Sequence, residues 1–188
     1  MATIVTSLDD RLAARLTAER EARGWTAAEL AERSGVSRAM IGKIERGEAR
    51  PTASLLGKLS GAFGLTLSTL LSRVEDQAGR VTTRETQAVW RDPQTGYERR
   101  ALSPASERLL QLTEVDLPPG ARVSFPSSAY TFIHQQIWML TGTLTFHEGN
   151  DAHHLRRGDC LTLGTPAECT FENATKQPCR YLIAVARA

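Results

Sequence analysis

Apolar residues in the first 71 positions of this chain recur three and four places apart, the spacing of one face of an α-helix. The first run includes Leu12, Ala13 and Leu16 and predicts a helix that closes at Gly24. Four further helices are predicted to begin at Ala27, after Ser37, after Pro51-Thr52 and at Leu67. Beyond residue 86 the pattern changes to short strand-like segments between Gly and Pro turns. The pattern predicts a helical domain (residues 1–72), a linker (73–86) and an all-β domain (87–188).

The second and third predicted helices have the local signals of a helix-turn-helix. Thr26 and Glu29 form a capping box, in which each residue accepts a hydrogen bond from a backbone N–H of the first turn. Gly35 can adopt the left-handed conformation that ends this helix, and Ser37 can cap the next one. Ala31 is small enough for the second helix to cross close by. These residues therefore predict two short helices joined by a tight turn.

The outer face of the second helix of this motif carries candidate chemistry. Ile41 and Ile44 are three positions apart and are expected to point inward. The residues left on the outer side are Arg38, Ala39, Gly42, Lys43 and Arg46. Basic side chains on such a helix are ordinarily a solvated face, but here they coincide with a motif of defined docking geometry. This coincidence favours insertion of the helix into the major groove of DNA.

At three segments, residues 24–31, 35–37 and 41–52, the sequence resembles the lambda-repressor-like (XRE, Cro/C1) family. The resemblance extends over Leu8 to Leu71. It implies a salt bridge between Arg20 and Glu45 that joins the first helix to the recognition helix. It also implies DNA contacts at the start of the preceding helix, where Ala27 replaces a frequent amide side chain.

The predicted DNA-contact residues are Thr26, Ala27, Ser37, Arg38, Ala39, Lys43, Arg46 and Arg50. Arg38 can donate two hydrogen bonds to O6 and N7 of guanine, and Lys43 can reach guanine or phosphate. Ser37, at a helix N-terminus, suits a phosphate, and Arg50 suits the DNA backbone. The partner is expected to be double-stranded DNA with a palindromic operator.

Charge is consistent with a protein that reads a site. The formal net charge is +2, and residues 1–72 hold ten Lys and Arg against eight Asp and Glu, which accounts for the whole excess. Such a balance excludes a histone-like protein that binds through bulk charge. No apolar run approaches the ~20 residues of a membrane span, and no secretory segment is evident at the N-terminus. A cytoplasmic location is therefore expected.

The β-region contains many short strands at even spacing, which predicts a sandwich or a barrel. Two strands are expected around the Pro93 to Gly96 turn. Further strands are predicted at residues 109–117, 130–140, 143–146, 160–163, 168–172 and 181–185. Turns at residues 118–120, 141–142, 149–150 and 157–159 separate them.

Over Ser106 to Ala186 this region resembles the cupin barrel, through residues 119–121, 138–146 and 157–163. The pair of domains is similar to XRE regulators with a C-terminal cupin sensor. The resemblance implies a double-stranded β-helix that forms a homodimer and takes a small-molecule effector.

The metal-ligand positions of cupins are not filled by ligands here. Where such proteins place two His, a Glu and a third His, this chain has Ala129, Thr131, Gln135 and Cys169. The motif's Asn is present as Asn173. We therefore expect no catalytic metal and no cofactor. The same inward alternation predicts an effector pocket with Thr131, Gln135, Cys169 and Asn173 as its polar groups.

Three cysteines, Cys160, Cys169 and Cys179, lie on predicted strands without a CxxC pair, so no structural disulfide is expected. Cys160 and Cys179 are expected to be small buried residues, and a thiol sensor at Cys169 is the alternative for that position.

The outward positions of the 130–140 strand, including Phe132 and Trp138, are too aromatic for open solvent. They are expected either to pack beneath the 90–100 hairpin or to form a two-fold subunit interface.

Together these patterns predict a metal-free transcriptional regulator and not an enzyme. Coupling between effector and DNA is expected to run through a hinge at residues 73–84. Two alternatives stay open: a metal-dependent cupin enzyme fused to a DNA-binding domain, and a constitutive repressor whose barrel is purely structural.

Overall fold

A computed structural model describes residues 8–71, 80–104 and 110–187 of the chain. Its helical part comprises the helices α1 (Leu8–Ala22), α2 (Ala27–Ser34), α3 (Arg38–Glu45), α4 (Ala53–Phe63) and α5 (Leu67–Leu71). All five predicted helices are thereby confirmed. Apolar side chains from α1 to α5 form their shared core, including Leu16, Leu30, Ile41, Leu56 and Leu70, each at most 2% exposed.

The β-domain consists of two antiparallel sheets that face each other across an aromatic core. Its strands are β1 (Val89–Arg91), β2 (Glu98–Ala101), β3 (Leu110–Leu117), β4 (Arg122–Phe125), β5 (Ile133–Thr141), β6 (Thr143–Glu148), β7 (Asp151–Arg156), β8 (Cys160–Thr162), β9 (Cys169–Glu172) and β10 (Cys179–Arg187). The larger sheet has the order β1-β2-β3-β10-β5-β8, and the smaller has the order β4-β9-β6-β7. Phe146 and Phe171 of the smaller sheet meet Tyr181 of the larger one in this core. This cupin-like β-fold confirms the predicted fold class.

Two strands of the smaller sheet were not predicted. β4 has only four residues, so its alternation of Val123 and Phe125 is too short to stand out. β7 is polar apart from Ala152 and the buried Leu155, because it lies at the edge of the sheet and most of its side chains face solvent. Both strands are therefore identified only by their hydrogen-bonded pairing with β9 and β6.

The predicted start of the fifth strand is wrong by three residues. A 3₁₀ turn at Ser127–Ala129 precedes the strand, which begins at Ile133. Alternation does not hold through that turn, so Tyr130 is buried and Thr131 is exposed, the reverse of the expectation. From Gln135 onward the predicted inward and outward sides are confirmed.

The helical domain is docked directly onto the β-domain. Helix α4 crosses β4 and the 3₁₀ turn so closely that a Cβ added at Gly57 would lie 2.6 Å from the Phe125 ring. A Cβ added at Gly61 would lie 3.0 Å from the Ser128 backbone. The buried Asp92, in the β1–β2 turn, accepts a 3.3 Å hydrogen bond from the Ala53 N–H at the start of α4. These contacts join the helical domain to the β-domain directly, through residues other than 72–79.

Helix α5 adds a polar part to this interface. Thr66 donates to Gln111 on β3 (2.7 Å), and the Gln111 amide donates to Thr69 (2.9 Å). Ser68 and Thr113 are 2.9 Å apart at their hydroxyl oxygens. The predicted linker (residues 73–86) and the predicted hinge (residues 73–84) lie outside the described residues up to position 79.

Candidate functional site

Helix α3 is held as a rigid, outward-facing element. The Ser37 hydroxyl accepts a 3.2 Å hydrogen bond from the Met40 N–H and caps the helix. Ile41 and Ile44 are each 2% exposed and fasten its inner side to the core. The predicted contacts Ser37, Arg38, Ala39, Lys43 and Arg46 are all exposed. The structure therefore presents them together on one surface of the molecule.

The preceding helix α2 begins at a capped N-terminus. The Glu29 N–H donates to the Thr26 hydroxyl at 3.2 Å, and the Thr26 N–H donates to Glu29 Oε2 at 2.7 Å, so the predicted capping box is confirmed. The hydrogen bond from the Thr26 backbone lowers the pKa of Glu29, and the Thr26 hydroxyl lowers it further. Gly35 ends the helix at φ 66°. Thr26 and Ala27 thereby stand at the N-terminus of α2, Thr26 exposed and Ala27 half-buried.

The salt bridge that the family resemblance implies is present. Arg20 Nε donates to Glu45 Oε1 at 2.7 Å, and Nη2 donates to Oε2 at 3.2 Å. Arg20 Nη1 also donates to the Trp25 carbonyl at 2.9 Å. The hydrogen bond to Glu45 raises the pKa of Arg20 against the opposing effect of burial. This network ties α1 to the end of α3 and to the residue that precedes the α2 cap.

Arg46 has an acidic partner on the same surface. Its guanidinium donates to both carboxylate oxygens of Glu48, at 2.7 and 2.8 Å, and both side chains are more than half exposed. This hydrogen bonding raises the pKa of Arg46 and lowers that of Glu48. Arg50 is exposed and lines a groove of about 470 Å³ between Pro51 and the β1–β2 turn.

A small cavity lies where α4 and α5 meet the open end of the β-domain. Its volume is about 40 Å³, and its lining includes Ser68, Arg99, Tyr130, Gln135 and Phe171. Of the four residues predicted to line an effector pocket, the structure brings only Gln135 to this cavity. Thr131 is exposed in the turn before β5 and does not line it.

Asn173 is completely buried and has a structural position. Its amide group donates to the carbonyl oxygens of Leu117 (3.0 Å) and Gln177 (2.8 Å). Its side-chain oxygen accepts from the Thr175 N–H and hydroxyl. These contacts tie β3 to the turn that follows β9. They use the side chain fully, so Asn173 is not available to a ligand.

Cys169 lies beside the cavity wall, next to Tyr130. Burial and, to a smaller extent, the charge of Glu148 raise the pKa of its thiol to about 12, against a hydrogen bond with Tyr130 that lowers it. Burial likewise raises the pKa of Cys179 to about 12. Cys160 is exposed, so the expectation that it is buried is wrong. Its position at the outer end of the larger sheet, opposite Trp138, explains the exposure.

Because the thiolate is the reactive form, we expect Cys169 and Cys179 to resist iodoacetamide in the native protein at about pH 8. Mass spectrometry of the peptides is expected to show label at both positions only after unfolding in urea. The urea-treated sample is the control for reagent activity. Rapid labelling of Cys169 in the folded protein would revive the thiol-sensor alternative.

Sequence reasoning missed the most polar residue of the cavity, Arg99. It is 7% exposed and lies two positions from the fully buried Tyr97, on the same side of β2. The alternation of inward and outward residues could have predicted its burial, because Arg99 lies two positions after Tyr97 and so shares its inward side. The sequence pattern predicts only two strands around a turn here, and Arg99 is not among the predicted site residues.

The described residues contain no group of three or more His, Cys, Asp and Glu side chains placed to hold a metal ion. Within the same ranges, no helix is both long and apolar enough to cross a membrane.

Comparisons with known proteins match this architecture. Residues 16–70 match the HTH_3 helix-turn-helix model. The HTH-type transcriptional regulator SutR of Escherichia coli (strain K12) is 34% identical over 100 residues, which cover 50% of this chain and 56% of SutR. This chain thus matches about half the length of that curated relative.

Among solved structures, an HTH_3 family transcriptional regulator from Vibrio cholerae superposes with a TM-score of 0.79 at 21% identity. That likeness covers 95% of this chain and 96% of the other, so the two proteins share the whole fold. A Cupin_2 domain of an XRE family transcriptional regulator from Enterobacter cloacae covers 48% of this chain and 95% of its own, at 13% identity and a TM-score of 0.45.

Proposed function

Since residues 16–70 form a helix-turn-helix domain of the HTH_3 (XRE) family, we propose that this protein is a transcriptional regulator that binds specific DNA sequences. The observation that carries the proposal is the surface of α3, where Ser37, Arg38 and Lys43 are exposed together on a helix fastened by two buried isoleucines. A helix presented in this way can enter the major groove of B-DNA. The proposal places the protein with the DNA in the cytoplasm.

The proposed contacts fall into two kinds. Arg38 donates to a guanine edge, and Lys43 reaches guanine or phosphate. Ser37 and Thr26, at helix N-termini, approach phosphates, and Arg50 contacts the DNA backbone. Ala27, Ala39 and Arg46 complete the proposed interface.

A homodimer on a palindromic operator is the second part of the proposal. The larger sheet exposes an apolar outer face that includes Trp138 (50% exposed), Leu112 (37%) and Leu110 (57%). Register adds Leu182, which lies beside Trp138 on this face. The 90–100 hairpin does not cover it, contrary to one of the two expectations, because β2 pairs with the edge of β3 and extends the sheet. A second copy of the chain packed here would form a two-fold dimer, which a palindromic operator with half-sites about 34 Å apart requires.

Arg38→Ala and Arg50→Ala are expected to weaken DNA binding in different ways. Loss of Arg38 should reduce the binding free energy by about 1–3 kcal/mol through one base pair of each half-site. Loss of Arg50 should weaken binding to every sequence and reduce the salt dependence of the DNA affinity. The duplex is first selected from a random library by the full-length protein. Fluorescence anisotropy then measures affinity for that duplex and for a scrambled one, and native mass spectrometry counts the chains bound.

The matched control is Arg122→Ala, which removes an exposed arginine from β4, in the other domain. It should leave both affinities unchanged. Two chains per duplex are expected. Equal losses on selected and scrambled DNA for Arg38→Ala, or a single bound chain, would contradict the assignments.

We also propose that the β-domain senses a small molecule and changes operator affinity by a shift of population between domain arrangements. The support is the position of the cavity, whose lining comes from both domains. A ligand there changes affinity for DNA by its differential affinity for the two arrangements and by no more. The purely structural barrel is a second candidate, because about 40 Å³ is far below the volume of a typical ligand pocket.

A further inference from the structure

Arg99 is a buried cation that has no counter-ion among the described residues. It is 7% exposed, and its Nη1 donates to the Tyr97 hydroxyl at 2.7 Å while Nη2 donates to the Ser68 hydroxyl at 2.9 Å. Its Nε–H is buried, and no described residue accepts a hydrogen bond from it. No carboxylate among residues 8–71, 80–104 and 110–187 forms an ion pair with it. Both of its partners are neutral hydroxyls.

A buried arginine without an acidic partner lowers the stability of the fold unless an anion binds to it. A guanidinium stays protonated in proteins, so Arg99 cannot escape the cost of burial by losing its charge. An uncompensated buried charge normally destabilises a fold by several kcal/mol, and natural cores pair such charges. Arg99 therefore indicates a site for an anion.

The surroundings of Arg99 supply further donors. Gln135 is also 7% exposed and lines the same cavity, and its Nε2 has no hydrogen-bond partner in the described part of the chain. The Tyr181 hydroxyl is buried and likewise has no partner there. Burial raises the pKa values of both Tyr130 and Tyr181 well above that of an exposed tyrosine, although the charge of Arg99 acts to lower them. The Tyr181 hydroxyl thus stays protonated and able to donate, whereas the Tyr130 hydroxyl is hydrogen-bonded to Cys169.

We propose that the cavity between α5 and the β-domain binds a small carboxylate, held by the Nε–H of Arg99 and the side-chain amide of Gln135. A water molecule needs roughly 10–15 Å³ of such space, so about 40 Å³ accommodates an anion of about the size of acetate. Arginine recognises carboxylates through paired N–H donors, and dry surroundings strengthen these hydrogen bonds. A larger acid requires α5 to move outward.

The site is connected to the DNA-binding domain through one hydrogen bond. Arg99 Nη2 donates to Ser68 on α5, and Ser68 is 2.9 Å from Thr113 on β3. A carboxylate that draws the guanidinium toward itself competes with this contact and so alters the docking of α5. This inference rests on the proposed effector function, whose ligand class it names.

The test is the thermal stability of the full-length protein in sodium acetate, with acetamide as the neutral control of the same shape and ionic strength held constant. A ligand that binds the native state raises the unfolding temperature in a saturable way. At a tenfold excess over Kd, acetate is expected to raise it by about 3–5 °C. Acetamide is expected to have little effect.

Two variants locate the site. Arg99→Gln should abolish the acetate effect, whereas Arg122→Gln removes an exposed arginine and should retain it. If Arg99→Gln does not fold, Gln135→Leu keeps the charge, removes the amide donor and should weaken acetate binding several-fold. An equal effect of acetate and acetamide, or an unchanged acetate effect in Arg99→Gln or Gln135→Leu, would overturn the proposal.

DNA binding is measured separately, so the two proposals fail in different ways. Acetate binding that depends on Arg99, in a protein that selects no duplex, leaves the anion site standing and removes the regulator. Selective DNA binding without an acetate effect removes the anion site and favours the structural barrel.

Discussion

Gly61→Ala is expected to destabilise the protein by about 1–3 kcal/mol, although alanine is the better helix former by about 1 kcal/mol. Gly61 lies in α4, and a Cβ there would meet the Ser128 hydroxyl at 2.7 Å and the Ser128 backbone at 3.0 Å. Real Cβ atoms seldom approach so closely, and the backbone of a 3₁₀ turn cannot rotate away as a side chain can. The two domains must therefore separate by several tenths of an ångström, which disturbs the whole interface. Urea unfolding of the full-length variant measures the loss.

Gly42→Ala is the matched control for this prediction. Gly42 is also inside a helix, but a Cβ there would meet only the guanidinium end of Arg46, at 3.0 Å. That flexible end can move aside, so the gain in helix propensity should dominate and Gly42→Ala should be stabilising. If Gly61→Ala proves as stable as the wild type, the close docking of α4 is not a rigid feature of the molecule.

Arg20→Ala is expected to lower the free energy of unfolding by about 2–3 kcal/mol, because it leaves a largely buried carboxylate without its partner. The side chains of Arg20 and Glu45 are only 15% and 14% exposed. The substitution also removes the donor to the Trp25 carbonyl, just before the cap of α2. Loosening this network frees both helices of the DNA-reading motif. We expect a lower unfolding temperature and, at temperatures where the variant is still folded, weaker binding to the selected duplex.

Arg46→Ala is the matched control, because it removes the arginine of a salt bridge with similar geometry but much greater exposure. Arg46 and Glu48 form a similar two-pronged pair, but their side chains are 60% and 52% exposed. Water solvates the remaining carboxylate, so stability should hardly change. Equal destabilisation by Arg20→Ala and Arg46→Ala would show that burial does not give the Arg20–Glu45 pair its importance.

The docked arrangement changes how regulation is to be understood. A hinge in residues 73–84 would let the two domains move independently, whereas the structure shows contacts through α4, α5 and the Asp92 turn. If the β-domain senses a ligand as proposed, these contacts give the signal a direct physical route to the helix-turn-helix domain. Packed interfaces of this kind tend to switch between discrete arrangements, because close-packed atoms do not deform continuously. Arg99, which lines the cavity and contacts α5, lies on that route.

The amino-acid sequence by itself determined the helical domain almost completely. Caps, left-handed glycines and helical periodicity are local signals, and they correctly located α2 and α3 through Thr26, Gly35 and Ser37. The Arg20–Glu45 pair followed from the family resemblance and is present. Such features act within one or two turns of helix, so nearby residues suffice to predict them.

Only the tertiary structure decided the cavity and the interface between domains. The 3₁₀ turn before β5 shifted Thr131 outward, and pairing with β6 made a strand of the polar segment at residues 151–156. Gly57 and Gly61 have ordinary helical positions in the sequence, yet the β-domain packs against both. Arg99 came to the cavity because β2 pairs with β3. Each of these depends on residues distant in the chain meeting in space, and no local pattern of side chains encodes that meeting.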